Sequence, residues 1–244
     1  MKPRILLLAE AANPEWVSVP LVGWSFFNAI REVADVHLVT QVRNRESILR
    51  TGLVEGRDFT VIDTERLERP LWKICKALRL GWTSKMALNA LSYPYFERLV
   101  WNQFGQDILS GVYDIVHRVT PLSPTVNSPI ATRCAKAGIP FVLGPLNGGL
   151  PWPPEFDAAR RKEKEWLSYV RGAYRLAPGH RRMLEATSAI LAGSRHTATE
   201  LPHDLHDRIT YLPENAIETK RFGQPVTRSS PPPLRASFVG RLVP

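Results

Sequence analysis

The sequence predicts an α/β fold: a parallel sheet with helices on both faces. Three observations carry this expectation. The first apolar run, Arg4–Ala9, is continuous rather than alternating, as in a strand covered on both sides. Short apolar segments then alternate with stretches of helical periodicity along most of the chain. Strands separated by helices imply parallel crossovers.

Taken in order, Val22, Phe26, Ile30 and Val33 recur at helical spacing after the first strand, and Pro20 suits a first helical turn. Val36–Val42 and Phe59–Ile62 read as the second and third strands. Arg66–Ser110 is expected to hold two or three helical segments, broken near Gly81 and Pro94. Ile115–Val119 is a fourth strand. Ser128-Pro129 opens a helix by N-cap and first-turn chemistry, and Gly138 can end it. Phe141–Leu143 is a fifth strand, followed by helical segments around Phe156–Tyr174 and Arg181–Thr187. Ala189–Ala192 and Ile209–Leu212 are two further strands. Gly223 to Leu234 is polar and Pro-rich and reads as a linker, after which Ala236–Val239 is a new strand with no sheet of its own. The expected boundaries are therefore 1–222 for the α/β domain, 223–235 for the linker and 236–244 for the first strand of a truncated second domain.

The chain has 244 residues, 44% hydrophobic and 23% charged, enough to bury a sizeable core. Cys75 and Cys134 make neither a disulfide framework nor a metal-ligand spacing, which points to a reducing, cytoplasmic setting. Glu10 ends the first apolar run too early for a signal peptide. The 18 uncharged residues Ala137 to Pro154 include nine Pro or Gly and cannot be a spanning helix. The expectation is a soluble protein, peripheral to a membrane at most. The net charge is +9, and eight Lys/Arg face two Glu between Arg160 and Arg182, with Trp166, Tyr169 and Tyr174 interleaved. That run is either a solvated helix face or a basic face for anionic lipid or nucleic acid.

Ligands of open parallel sheets gather at the carboxyl ends of the strands, so four loops become candidates. The first, Glu10 to Gly23, places Gly23 near a helix start, where it is either turn geometry or room for an anion; no G-x-G-x-x-G fingerprint is present. In the second, His117 can bond or shuttle a proton and Arg118 can hold an anion, or they are a satisfied core histidine and a solvated arginine. The third, Gly144–Trp152, offers backbone donors at Gly148 and Gly149 beside Asn147. In the fourth, Ser194 reads as a helix N-cap rather than a nucleophile, because Thr197 and His196 follow where a nucleophile elbow needs glycine. His203 and His206 have a weak metal spacing, and there is no Walker loop, H-E-x-x-H or zinc pattern.

Several segments, in order, resemble glycosyltransferase family 4. They are Asp35-Val36-His37-Leu38-Val39-Thr40, Asp114-Ile115-Val116-His117, Gly138-Ile139-Pro140-Phe141-Val142, Ala189–Ser194, Leu212–Glu218 closing with Arg221-Phe222, and Phe238-Val239-Gly240-Arg241-Leu242. The sequence departs from the family pattern at Val22, which precedes Gly23 where two glycines are common, and at Ala216, where glycine is usual. The resemblance implies the N-terminal, acceptor-side half of a retaining GT-B enzyme with Rossmann-like domains, plus the start of its donor half. It implies transfer of a sugar from a nucleotide-diphosphate sugar to a glycan, lipid-linked or small-molecule acceptor, with no cofactor and no metal. By the same resemblance, His117 would bond the transferring sugar, while Gly23 and Arg241 would serve the donor. Asn147, Gly148 and Gly149 are our own assignment to the acceptor. Residues 160–182 would face an anionic membrane, with no nucleic acid expected. This chain alone would have little or no transferase activity. The alternative is a non-catalytic Rossmann-like module whose basic face binds anionic membrane or nucleic acid.

Overall fold

The structure, a computed structural model, describes residues 2–66, 69, 82–148, 179–216 and 223, with the backbone alone at 82–91. The segment around Phe156–Tyr174, the basic run as far as residue 178, Cys75, Gly149, Arg241, nearly all of the linker and the strand at Ala236–Val239 lie outside the described residues. The chain divides into two units, Met1–Glu214 and Asn215–Pro244. Every element below belongs to the first.

Seven parallel strands form one sheet: β1 (Arg4–Ala9), β2 (Asp35–Gln41), β3 (Phe59–Ile62), β4 (Ile115–Thr120), β5 (Phe141–Leu146), β6 (Ala189–Ala192) and β7 (Ile209–Tyr211). Their order is β3-β2-β1-β4-β5-β6-β7. This is Rossmann-like, and its topological switch point falls between β1 and β4. The helices are α1 (Val19–Val33), α2 (Arg45–Leu49), α3 (Trp82–Leu109), α4 (Pro129–Lys136), α5 (His180–Ala186) and α6 (Arg195–Glu200). No helix among the described residues is long and apolar enough to cross a membrane.

Strand β1 shows why its sequence is a continuous apolar run. Ile5, Leu7 and Ala9 enter a core shared with Phe27 of α1, Leu38 and Val119. Leu6 and Leu8 enter a second core with Tyr93, Phe96 and Val100 of α3, Ile130 of α4 and Leu184 of α5. From Ile5 onward both faces are dry, so each of those positions selects an apolar side chain. Cys134 is buried in this second core, where burial pushes its thiol up to about 12.

Two local expectations are corrected. The break near Pro94 does not occur: α3 runs 28 residues with Pro94 inside it. A mid-helix proline costs about 3 kcal/mol. Tyr93, Phe96, Val100, Phe104 and Ile108, all buried at helical spacing, return about 1.5–3 kcal/mol each, so the stripe wins. Ser128 precedes α4 as expected, but its side chain does not cap the helix. Its Oγ donates instead to the buried Glu97 of α3, and the other oxygen of that carboxylate accepts the Ile130 amide at 2.9 Å. Glu97 does the capping, from 33 residues away. Gly138, at φ +72°, ends α4 as expected, with the Ile139 amide returning to the Cys134 carbonyl at 3.0 Å.

Candidate functional site

The carboxyl edge of the sheet gathers the loops after β1, β4, β5 and β6. The loop after β1 is bound down along its length. The Asn44 side-chain nitrogen donates to the Glu10 carbonyl and to Thr40 Oγ1, both at 2.9 Å. Asn13 donates to Asn44 Oδ1 at 3.3 Å. Gln41, also buried, donates to Thr64 Oγ1 at 3.1 Å. These polar side chains are buried because they replace the hydrogen bonds that strand ends leave open.

At the switch point the Thr120 hydroxyl spans the crevice. It accepts the Ala11 amide at 3.0 Å and donates to the Ala11 carbonyl at 3.2 Å. From the other side Gly23 presses on the same carbonyl, so closely that a Cβ at position 23 would collide with the Ala11 oxygen. Gly23 is the fifth residue of α1, and the Val22 amide before it already bonds the Ser18 carbonyl at 3.1 Å, so Gly23 lies past the unbonded amides of the helix start. Its missing side chain serves this packing. The place where a dinucleotide would cross a Rossmann sheet is therefore bridged by the protein itself. Thr120→Val should loosen the bridge and cost about 1–2 kcal/mol, the loss of two partly buried hydrogen bonds. A chemical-denaturation curve unchanged from wild type would contradict this.

His117 is neither at a strand end nor open to a ligand. It lies three residues before the end of β4, roughly 10 Å below the edge. It is 5% exposed, and its Nε2 is 2.7 Å from the Gly144 carbonyl, so Nε2 carries the proton. Burial lowers its pKa to about 4, so the ring is neutral at physiological pH. Arg118 is fully buried on the opposite face of β4, so it neither holds an anion at the edge nor is solvated, and both readings of it are corrected. Its guanidinium donates to the carbonyls of Val126 at 2.8 Å and Pro121 at 3.3 Å. It also lies over the Tyr93 ring, 5.4 Å from the centroid.

Beyond β5 the edge is polar and partly open. The Asn147 amide N–H donates to the Leu122 carbonyl at 2.8 Å, and its side-chain nitrogen donates to Glu214 Oε1. Gly148 has φ +129°, and its carbonyl accepts Thr197 Oγ1 at 3.2 Å. Ser194 caps α6, accepting the Thr197 amide at 3.1 Å. Gly193 lies against Glu214 so tightly that a Cβ there would meet the other carboxylate oxygen. The edge thus brings Asn147 and Gly148 together with Gly193, Ser194 and Glu214; His117 supports them from below, and Gly23 stands apart in the β1–α1 packing. Glu214 went unmarked as a site residue. It stands in the Pro213-Glu214-Asn215 segment, and only the fold shows that 67 positions of chain separate it from a direct partner.

Trp16, Val17 and Leu21, at the start of α1 and in the loop before it, are 44%, 79% and 39% exposed. Among the described residues, no group of three or more His, Cys, Asp or Glu could hold a metal ion.

No family model matches the chain, and no curated protein matches it. A solved structure does. UGT89C1 of Arabidopsis thaliana, complexed with UDP-L-rhamnose, is similar over 90% of this chain with a TM-score of 0.50 and 12% identity. The chain spans about half of that protein, 54% of its length. At this identity the likeness is one of fold. A short-chain dehydrogenase/reductase from Veillonella parvula matches over 79% of this chain and 69% of its own, with 15% identity and a TM-score of 0.35, too loose to argue from.

Proposed function

We propose that the chain is the acceptor-side half of a glycosyltransferase of two Rossmann-like domains, the GT-B arrangement. The observation that carries this reading is the division of labour along the sheet edge. The switch point, where a Rossmann domain would seat its own nucleotide, is closed by Thr120, Ala11 and Gly23. The β5–β6 edge instead gathers three half-buried polar or glycine residues, Asn147, Gly148 and Glu214. A likeness that spans nearly all of this chain but about half of a protein solved with a nucleotide sugar supports the same division.

In this reading the acceptor lies over the β5–β6 edge, and Asn147 and Gly148 (with Gly149 beyond the described residues) hold it through hydroxyl groups. The acceptor hydroxyl forms a new bond to the anomeric carbon of the donor sugar. The bond to the diphosphate breaks, the electron pair leaves on the diphosphate, and the hydroxyl proton is released. Arg241, also outside the described residues, meets the diphosphate charge, and no metal is called for. His117 contributes by fixing the Gly144 carbonyl under this loop. Gly23 contributes by letting the Ala11 loop pack against α1. The exposed Trp16, Val17 and Leu21 favour an acceptor with an apolar part, such as a lipid-linked sugar, handled at an anionic membrane face.

The test is release of nucleoside diphosphate by the full-length protein from a panel of UDP-, GDP- and ADP-sugars, with soluble glycans and vesicle-borne lipid acceptors as arms. Acceptor-dependent release is expected. No release from any pairing, with UDP-L-rhamnose in the panel, would count against the reading.

A further inference from the structure

The geometry points to Arg118 as a positioning residue that sets the acceptor loop from inside the core without touching substrate. It rests on the reading above only for the word acceptor. Arg118 is fully buried on β4, beneath the loop that runs from Pro121 to Ser128. Its two terminal nitrogens take one carbonyl near each end of that loop, Pro121 at 3.3 Å and Val126 at 2.8 Å. The planar fork makes this span; an ammonium, as a point charge, could hold one carbonyl but not fix the distance between two.

The same loop end is held a second time. Ser128 donates to the buried Glu97, which also caps α4 through the Ile130 amide at 2.9 Å. The charge of Glu97 favours the guanidinium, and the Tyr93 face lies beneath it. Removing a guanidinium from water is costly, and apolar residues of similar volume often fill such a space with equal or better stability. What they cannot do is fix two carbonyls. The held loop then reaches the site directly: its Leu122 carbonyl accepts the Asn147 amide at 2.8 Å, and Pro124 lies where a Cβ at position 148 would touch it. Arg118, the Pro121–Ser128 loop and Asn147-Gly148 form one continuous series of contacts from the core to the edge.

Arg118→Met in the full-length protein tests this by amide hydrogen exchange. The Asn147 amide reads the loop, and the Val116 amide, which donates to the Pro140 carbonyl at 3.0 Å, reads the sheet. About tenfold faster exchange is expected at Asn147, with Val116 within about twofold. Equal acceleration at both amides would make Arg118 a plain structural residue, and an unchanged Asn147 would break the series; either overturns the proposal. Arg118→Lys, which keeps the charge and one carbonyl, should give a smaller rise at Asn147 alone, and it decides the question if the methionine variant does not fold. In a transfer assay the lysine variant should raise the acceptor KM and leave the donor KM in place. A wild-type protein with no transfer activity would remove the function but not the exchange result.

Discussion

Alanine at position 144 should be among the most destabilising single changes in this chain. Gly144 has φ +117°, a backbone conformation essentially reserved for glycine. A Cβ there would also collide with the Leu191 carbonyl oxygen of the neighbouring strand. That oxygen is backbone and cannot swing aside. The crowding falls where the β5–β6 register shifts, between Leu143 and Leu146. Strain of about 1–3 kcal/mol and overpacking of a similar size act together, so about 2–6 kcal/mol is expected. For a domain of this size the melting temperature should fall by roughly 5–20 °C. Gly56 is the control: its φ is +84°, but nothing lies within 4 Å of its Cβ position. Gly56→Ala should cost about 1 kcal/mol. Equal melting temperatures for the two variants would show that the Leu191 contact does not matter.

The second large effect depends on pH. Burial lowers the His117 pKa from 6.5 to about 4, while the unfolded chain regains the ordinary value. The unfolded state therefore binds more protons between these values. The stability linked to His117 is complete above pH 6.5 and is lost as the pH falls toward 4. Across that window the loss approaches about 3 kcal/mol. His37, also lowered by burial, pulls in the same direction, whereas burial raises Glu97 and so favours the folded state as the pH falls. The informative quantity is thus the difference between wild type and His117→Gln, whose amide can still donate to Gly144 but does not titrate. The glutamine variant should be near or slightly below wild type at pH 7.5 and should gain on it by about 2–3 kcal/mol by pH 4.5. Parallel stability curves would mean that the ring is not held neutral.

The sheet was legible because doubly covered strands need unbroken apolar runs, and the single residues Pro20, Gly138 and Ser194 mark helix ends by local chemistry that tertiary contacts do not override. Pro94 misled because its local penalty is smaller than the burial of the stripe from Tyr93 to Ile108. Ser128 misled for the opposite reason, since a distant carboxylate takes over its cap. His117 and Arg118 looked like a polar pair at a ligand. Neighbours in a strand point to opposite faces, so one edge site could not take both. That rule was available from the sequence; that each ends on a backbone carbonyl was not. Nor was the Asn147–Glu214 pair or the Asn13, Thr40, Gln41 and Asn44 network, because those contacts depend on which strand ends the sheet order places side by side.

In the proposed enzyme Asn147 and its neighbours at the β5–β6 edge hold the acceptor while the nucleotide sugar is held elsewhere. Steady-state kinetics of Asn147→Ala in the full-length protein, with donor and acceptor varied in turn, test it most directly. The acceptor KM should rise about tenfold, one hydrogen bond's worth, with the donor KM unchanged. A raised donor KM with a wild-type acceptor KM would contradict it.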